Sequence, residues 1–153
     1  MVHSKPDSLQ AAKRAASDDR LDEWVTDFLA SPGSDNEALA ADLALNETVY
    51  AGPIELDLEQ LVPRAGPDDA EVEVVEDAQT WNDEVSAMGD SVEDGWEPPP
   101  LLVSYRDGQL VVEDGNHRCQ ALLESGAERC WAIVTFADAS QRDAFEGGKA
   151  KRR

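Results

Sequence analysis

Residues Asp114-Gly115-Asn116-His117-Arg118 gather a carboxylate, an amide, an imidazole and a guanidinium around one glycine within five positions. The β-rich run Gln109 to Val112 precedes them, and Cys119, Ala121, Leu122 and Leu123 behind them fit a helix that stops at Gly126. A strand that enters a helix through a glycine turn is suited to holding an anion. The first helical N–H groups lack intrahelical acceptors, the helix dipole adds about half a positive charge, and Gly115 lets backbone approach a phosphate closely. Arg118 supplies a planar fork for two phosphate oxygens and reads as exposed. His117 can donate a hydrogen bond or, near neutral pH, carry a charge. Asn116 can orient a ligand without charge, and Asp114 can hold His117, bind a magnesium ion or cap the helix. The expected site therefore uses Gly115, Asn116, His117 and Arg118 for binding and Asp114 and His117 for catalysis, with no metal centre built by the protein itself.

Little else in the chain competes for this chemistry. His117 is one of two histidines, the other being His3 near the N-terminus, and no Ser-His-Asp or paired-carboxylate arrangement stands beside it. The two cysteines, Cys119 and Cys130, form neither a CxxC motif nor a zinc cluster and read as reduced thiols. Cys119 can face the same turn, but a buried small thiol is the more frequent fate of such a position. Asp-Gly is itself common in ordinary turns, so the pentapeptide needs its flanking elements to mean anything.

Those elements can be read by periodicity. Residues 1–18 are polar and read as a loose arm. Leu21, Trp24, Val25, Phe28 and Leu29 follow i, i+3, i+4, i+7, i+8 and predict a helix from Asp19 to Ala30. Pro32-Gly33 breaks it. Ser34 with Glu37 forms a capping box that opens a second helix carrying Leu39, Leu43 and Leu45, so residues 19–50 read as a helical hairpin, a packing element and a surface for a homodimer. The main domain is expected over 51–146. Ile54, Leu56 and Leu58 alternate with acids as a half-buried strand, and Pro63, Gly66 and Pro67 close it. Thr80 caps a short helix carrying Trp81, Val85 and Met88 that Gly89 ends, and residues 90–100 read as loop. Leu101 to Tyr105 and Gln109 to Val112 flank Asp107-Gly108 as a hairpin, and Trp131 to Phe136 is a buried strand. Residues 147–153 read as a basic tail that frays. The sum is an α+β class with a small mixed sheet.

Charge narrows the partners. The 153 residues carry 33 acids against 13 Lys and Arg, a formal net charge of -20. A field of that sign repels phosphate backbones and anionic lipid headgroups over about 8 Å, which argues against duplex DNA and against a membrane surface. Between Glu55 and Glu97 fifteen acidic residues face a single basic one, Arg64. With no signal-like or membrane-length apolar run, the expected location is the cytoplasm.

The stretch Ile54 to Phe136 resembles the ParB/sulfiredoxin superfamily in the order of its parts. Ile54-Glu55-Leu56-Asp57-Leu58 with Leu61 and Pro63 is similar to the opening strand and its turn, and the Trp81 to Met88 helix stands where that superfamily has its next helix. Pro100-Leu101-Leu102-Val103 is similar to its "PIxV" strand, and Leu110 to Arg118 resembles the strand and phosphate turn that ParB proteins write Gly-Glu-Arg-Arg. Ala121, Gly126 and the strand from Trp131 to Val134 complete the match. The resemblance implies a bound nucleotide, ATP, ADP or CTP with Mg2+, held at the turn. Sulfiredoxins have a nucleophilic cysteine where Asn116 stands, so sulfinic-acid reduction lacks its nucleophile here. ParB proteins add a helix-turn-helix domain without counterpart in the 17 residues after Phe136. Free serine kinases of the superfamily have an Asp-Gly-His-His-Arg type turn, nearest to this one, and draw a base from the region after the first strand, where Asp68, Asp69 and Glu71 lie. The resemblance thus implies a nucleotide-dependent phosphotransferase acting on a small hydroxylated metabolite. A nucleotide-sensing or interaction module without turnover is the alternative, and a ParB-like nuclease the third, against which the charge argues.

Overall fold

The computed structural model describes residues 8–30, 36–45, 48–67, 74–93, 99–106 and 108–151. Helix α1 (Leu9–Ser17) opens the described chain, followed by α2 (Leu21–Ala30) and α3 (Glu37–Leu45). The expectation of a loose arm over 1–18 fails for Leu9–Ser17. Ser8 caps this helix, its hydroxyl accepting from the Ala11 N–H at 3.1 Å, and Leu9, Ala12 and Ala15 are buried along one face. Small alanines pack as close as leucines while giving a weak hydropathy signal. On α2 the residues Trp24, Val25, Phe28 and Leu29 are buried as their spacing predicts, and Leu21 packs beside them with Leu39 and Leu43 of α3. Ser34 of the expected capping box and the Leu45 side chain lie outside the described residues.

Strand β1 (Val49–Asp57) starts earlier than the alternation from Ile54 suggested and carries an irregularity between Ala51 and Ile54. A short 3-10 turn at Leu58–Gln60 leads into β2 (Leu61–Pro63), and β3 (Ala65–Pro67) pairs in parallel with β4 (Val74–Glu76) as a separate two-stranded sheet. Helix α4 (Ala78–Glu93) is longer than expected at both ends. Its first turn is capped by Asp77, whose Oδ2 accepts from the Thr80 N–H at 3.0 Å, and Gly89 sits within the helix instead of ending it. Part of the expected 90–100 loop is thus helical. The hairpin β5 (Leu101–Arg106) and β6 (Gln109–Asp114), then α5 (Asn116–Glu124) and β7 (Arg129–Phe136), follow the predicted order. The tail is corrected as well: α6 (Ala139–Lys151) runs into the segment expected to fray, with Asp138 Oδ1 accepting from the Gln141 N–H at 2.9 Å.

The main sheet has the order β1-β7-β5-β6-β2, with β5–β7 and β6–β2 parallel and the other pairs antiparallel. This is an α+β fold with a small mixed sheet, as expected. Period-2 alternation divides the strands between two faces. Leu56, Leu101, Val103, Leu110, Val112, Ala132 and Val134 share one buried cluster with Cys119 of α5, and Phe145 of α6 packs against it. Leu102 and Ile133 join a second cluster with α1, α2 and α3. The N-terminal helices therefore cover one face of the sheet. At the C-terminal end of β6 both layers meet the turn into α5.

Candidate functional site: the β6–α5 turn

Gly115 has φ 98° and ψ 24°, the left-handed conformation that costs glycine little, and it caps α5 without any side-chain hydrogen bond. Its carbonyl accepts from the Cys119 N–H at 2.8 Å, the first bond of the helix. A Cβ built at this position would lie 2.6 Å from Leu101 Cδ2 and 2.7 Å from Arg118 Nη2. The turn therefore demands glycine both by conformation and by space.

Arg118 is not exposed as expected; it is only 7 % accessible. Its Nη2 donates to Asp114 Oδ2 at 3.0 Å and its Nη1 to the Pro99 carbonyl at 3.1 Å, while the guanidinium lies 5.4 Å from the centre of the Phe28 ring. Asp114 Oδ1 accepts from Asn36 Nδ2 at 3.1 Å. The fork expected at a phosphate is thus turned inward, where it binds α5 to the strand before it and to the α2 layer. Asp114 is engaged through both oxygens, so it serves as a hub of the turn.

Asn116 is buried too. Its Oδ1 accepts from the Arg64 backbone N–H at 2.9 Å and its Nδ2 donates to the Val112 carbonyl at 3.1 Å. One amide thereby locks the segment after β2 against the start of α5. Arg64 follows with its side chain, Nη1 donating to Glu113 Oε1 at 2.9 Å. The sole basic residue of the long acidic stretch is brought to the turn by two separate links.

His117 stands at the second position of α5 and keeps 22 % of its side chain accessible. Its Nε2 lies 2.9 Å from Glu84 Oε2 of α4, and the imidazole rests 4.5 Å from the Trp81 ring at a 37° tilt. Val85 of α4 and Ala121 of α5 bury the contact beneath. A carboxylate and an aromatic face thus fix the ring.

All five expected residues are therefore in one place, but in two roles: Asp114, Asn116 and Arg118 build the turn, whereas His117 and the Gly115 backbone remain at its outer side. Asp68, Asp69 and Glu71, the expected base region, lie outside the described residues. Cys119 points into the core, and burial pushes its thiol up to about 11; burial, Cys119 and Glu55 push Cys130 up to about 12. Neither is a nucleophile for this site. Sequence reasoning missed Arg64, Glu84 and Asn36, each distant along the chain from the pentapeptide.

No family model matches the chain, and no curated protein matches it. Among solved structures it is similar to a sulfiredoxin from Arabidopsis thaliana, at 19% identity over 56% of this chain and 83% of that one, TM-score 0.39. It is similar to a conserved hypothetical protein from Pyrococcus furiosus at 19% identity, covering 53% of this chain and 31% of that chain, TM-score 0.40. A Pnob8-like ParB-N domain matches at 17% identity over 69% of this chain and 39% of that chain, TM-score 0.40. The chain thus spans less than half of the last two.

Proposed function

We propose that the β6–α5 turn binds a phosphate group of a nucleotide. The observation that carries this reading is a helix start on left-handed Gly115 with no side-chain hydrogen bond at its cap, with His117 in its first turn and the Arg64 backbone tied to Asn116 beside it. Backbone N–H groups of the first turn point along the helix axis toward such a ligand, and the dipole favours its charge. Arg64 adds a guanidinium and His117 an imidazole N–H. Asp114, Asn116 and Arg118 contribute by holding the backbone that presents these donors. The favourable potential is local, set in a chain of formal charge -20, which selects a small anion over a nucleic acid backbone.

A second reading, transfer of the phosphoryl group to a small hydroxylated metabolite, is favoured by the 2.9 Å pairing of Glu84 with His117. Phosphoryl transfer rests on positioning and charge neutralisation. A carboxylate-oriented imidazole beside the phosphate can hold a proton of the incoming hydroxyl. Mg2+ enters this reading with the nucleotide phosphates.

Thermal unfolding with ATP, ADP or CTP and Mg2+ tests the binding. A ligand at about 100 times its dissociation constant stabilises the native state by about 2.7 kcal/mol. That gain should shrink in Arg64→Ala and His117→Ala. Full stabilisation in both variants places the ligand elsewhere, and no gain in the wild type ends the phosphate reading. Release of ADP dependent on an added hydroxylated metabolite separates transfer from sensing.

A further inference from the structure

We infer that the N-terminal helices regulate the phosphate site, with Asn36 and Phe28 as positioning residues that hold the β6–α5 turn from the α2–α3 layer. This rests on the phosphate reading above and adds to it two residues distant in sequence from the pentapeptide. Asn36 immediately precedes α3. Its N–H donates to the Leu29 carbonyl at 2.6 Å and its carbonyl accepts from the Ala40 N–H at 3.2 Å, so its backbone is tied to both α2 and α3. Its side chain reaches the turn, Nδ2 donating to Asp114 Oδ1 at 3.1 Å. Phe28 of α2 reaches the other member of the buried pair. The Arg118 guanidinium lies 5.4 Å from its ring centre, and Trp24 stacks on that ring with centres 5.0 Å apart.

The helical layer therefore touches both halves of the Asp114–Arg118 pair, one through a hydrogen bond and the other through a ring face. The pair in turn borders the glycine backbone. A Cβ built at Gly115 would lie 2.7 Å from Arg118 Nη2, so the seat of the guanidinium limits how the glycine can move. Neither Asn36 nor Phe28 carries a charge, so they act on an anion through the conformation of the turn. A turn that is pinned beforehand leaves less conformational freedom for a ligand to remove, and a smaller population of the competent form raises Kd in proportion. Such coupling is reciprocal. If the seated layer favours the binding form of the turn, a ligand on the turn favours the seated layer by the same free energy. Displacement of α2 and α3 from the sheet would thus weaken the phosphate site.

A purely structural role predicts a different result. If Asn36 and Phe28 serve the fold alone, their loss lowers stability and leaves the affinity of the folded protein unchanged. If they position the turn, affinity falls as well. Titration of the full chain with inorganic pyrophosphate, well below the unfolding midpoint, should show Asn36→Ala weakened on the order of tenfold, within the range of coupling between sites. Phe28→Leu, which keeps an apolar side chain in the layer, should weaken binding in the same direction. Hydrogen exchange on the wild type gives the reciprocal reading. Saturating pyrophosphate should slow the amides of α2 and α3 more than those of α6, which packs on the opposite face of the sheet. Unchanged affinity in either variant, or protection of α2 and α3 no greater than that of α6, would overturn the inference while leaving the phosphate site standing. Should a variant fail to fold, the exchange comparison on the wild type decides. A wild type that does not bind pyrophosphate would overturn the phosphate reading and this inference with it.

Discussion

Arg118 Nη2 and Asp114 Oδ2 meet at 3.0 Å across the glycine that separates strand from helix, with both side chains almost wholly buried. The pair closes the turn from inside. Removing one partner leaves the other charged group buried without it, which costs about 3–5 kcal/mol in comparable sites. Arg118→Ala should therefore lower the urea midpoint strongly in the absence of any ligand. Arg118→Ala/Asp114→Ala should be less destabilised than the sum of the single variants. A midpoint for Arg118→Ala close to the wild type would mean that the guanidinium carries no structural role at the turn.

Gly115→Ala tests the same turn through the backbone. The φ of 98° disfavours any L side chain, and the added Cβ meets Leu101 and Arg118 closer than real Cβ atoms approach their neighbours. Strain of about 1–3 kcal/mol is expected from the dihedral alone, with displacement of the arginine in addition. Gly126→Ala makes a useful control, since its φ is 88° but no heavy atom lies within 4 Å of the built Cβ. Gly115→Ala should be the more destabilised by urea unfolding, and equal losses would show that crowding contributes nothing.

Much of this was legible before the structure. The β5–β6 hairpin follows from two β-rich runs around Asp107-Gly108, and α5 from the spacing of its apolar residues up to Gly126, both local signals. What escaped is non-local. The parallel pairing of β2 with β6 joins residues about fifty positions apart and leaves no periodic trace. The direction of Arg118 was hidden because a pentapeptide does not disclose which of its side chains turn inward. The Asp114 to Arg118 spacing of four was the available hint, being that of an ion pair along one helix face. Arg64 had a signal in its isolation among fifteen acids. Glu84 had none, since the α4–α5 contact that brings it to His117 is made only in the folded chain.

Leu9 offers a test of the N-terminal correction. A residue in a loose arm can be truncated without cost, whereas Leu9 is 2 % accessible. Leu9→Ala should destabilise by about 2–5 kcal/mol, as for other buried leucines. A loss below about 0.5 kcal/mol, the usual range for surface substitutions, would return this segment to the status of an arm.

Alkaline pH should destabilise the fold through its buried thiols. The folded values lie at about 11 for Cys119 and about 12 for Cys130, against an ordinary 9.0 once the chain unfolds and water reaches the sulfur. Between pH 9 and 12 the unfolded chain therefore binds fewer protons than the native one, and linkage makes stability fall as pH rises. Below pH 9 both states hold the thiol proton, so the contribution of these groups is fully present there. Each tenfold difference in proton affinity corresponds to about 1.36 kcal/mol, so the combined loss by pH 12 is on the order of several kcal/mol. Tyr50 acts in the same direction, since burial and Asp22 raise its phenol. Replacing Cys130 by alanine isolates one contribution: urea midpoints measured from pH 8 to pH 11 should fall less steeply in Cys130→Ala than in the wild type. Parallel slopes would show that the Cys130 thiol keeps an ordinary proton affinity in the native state.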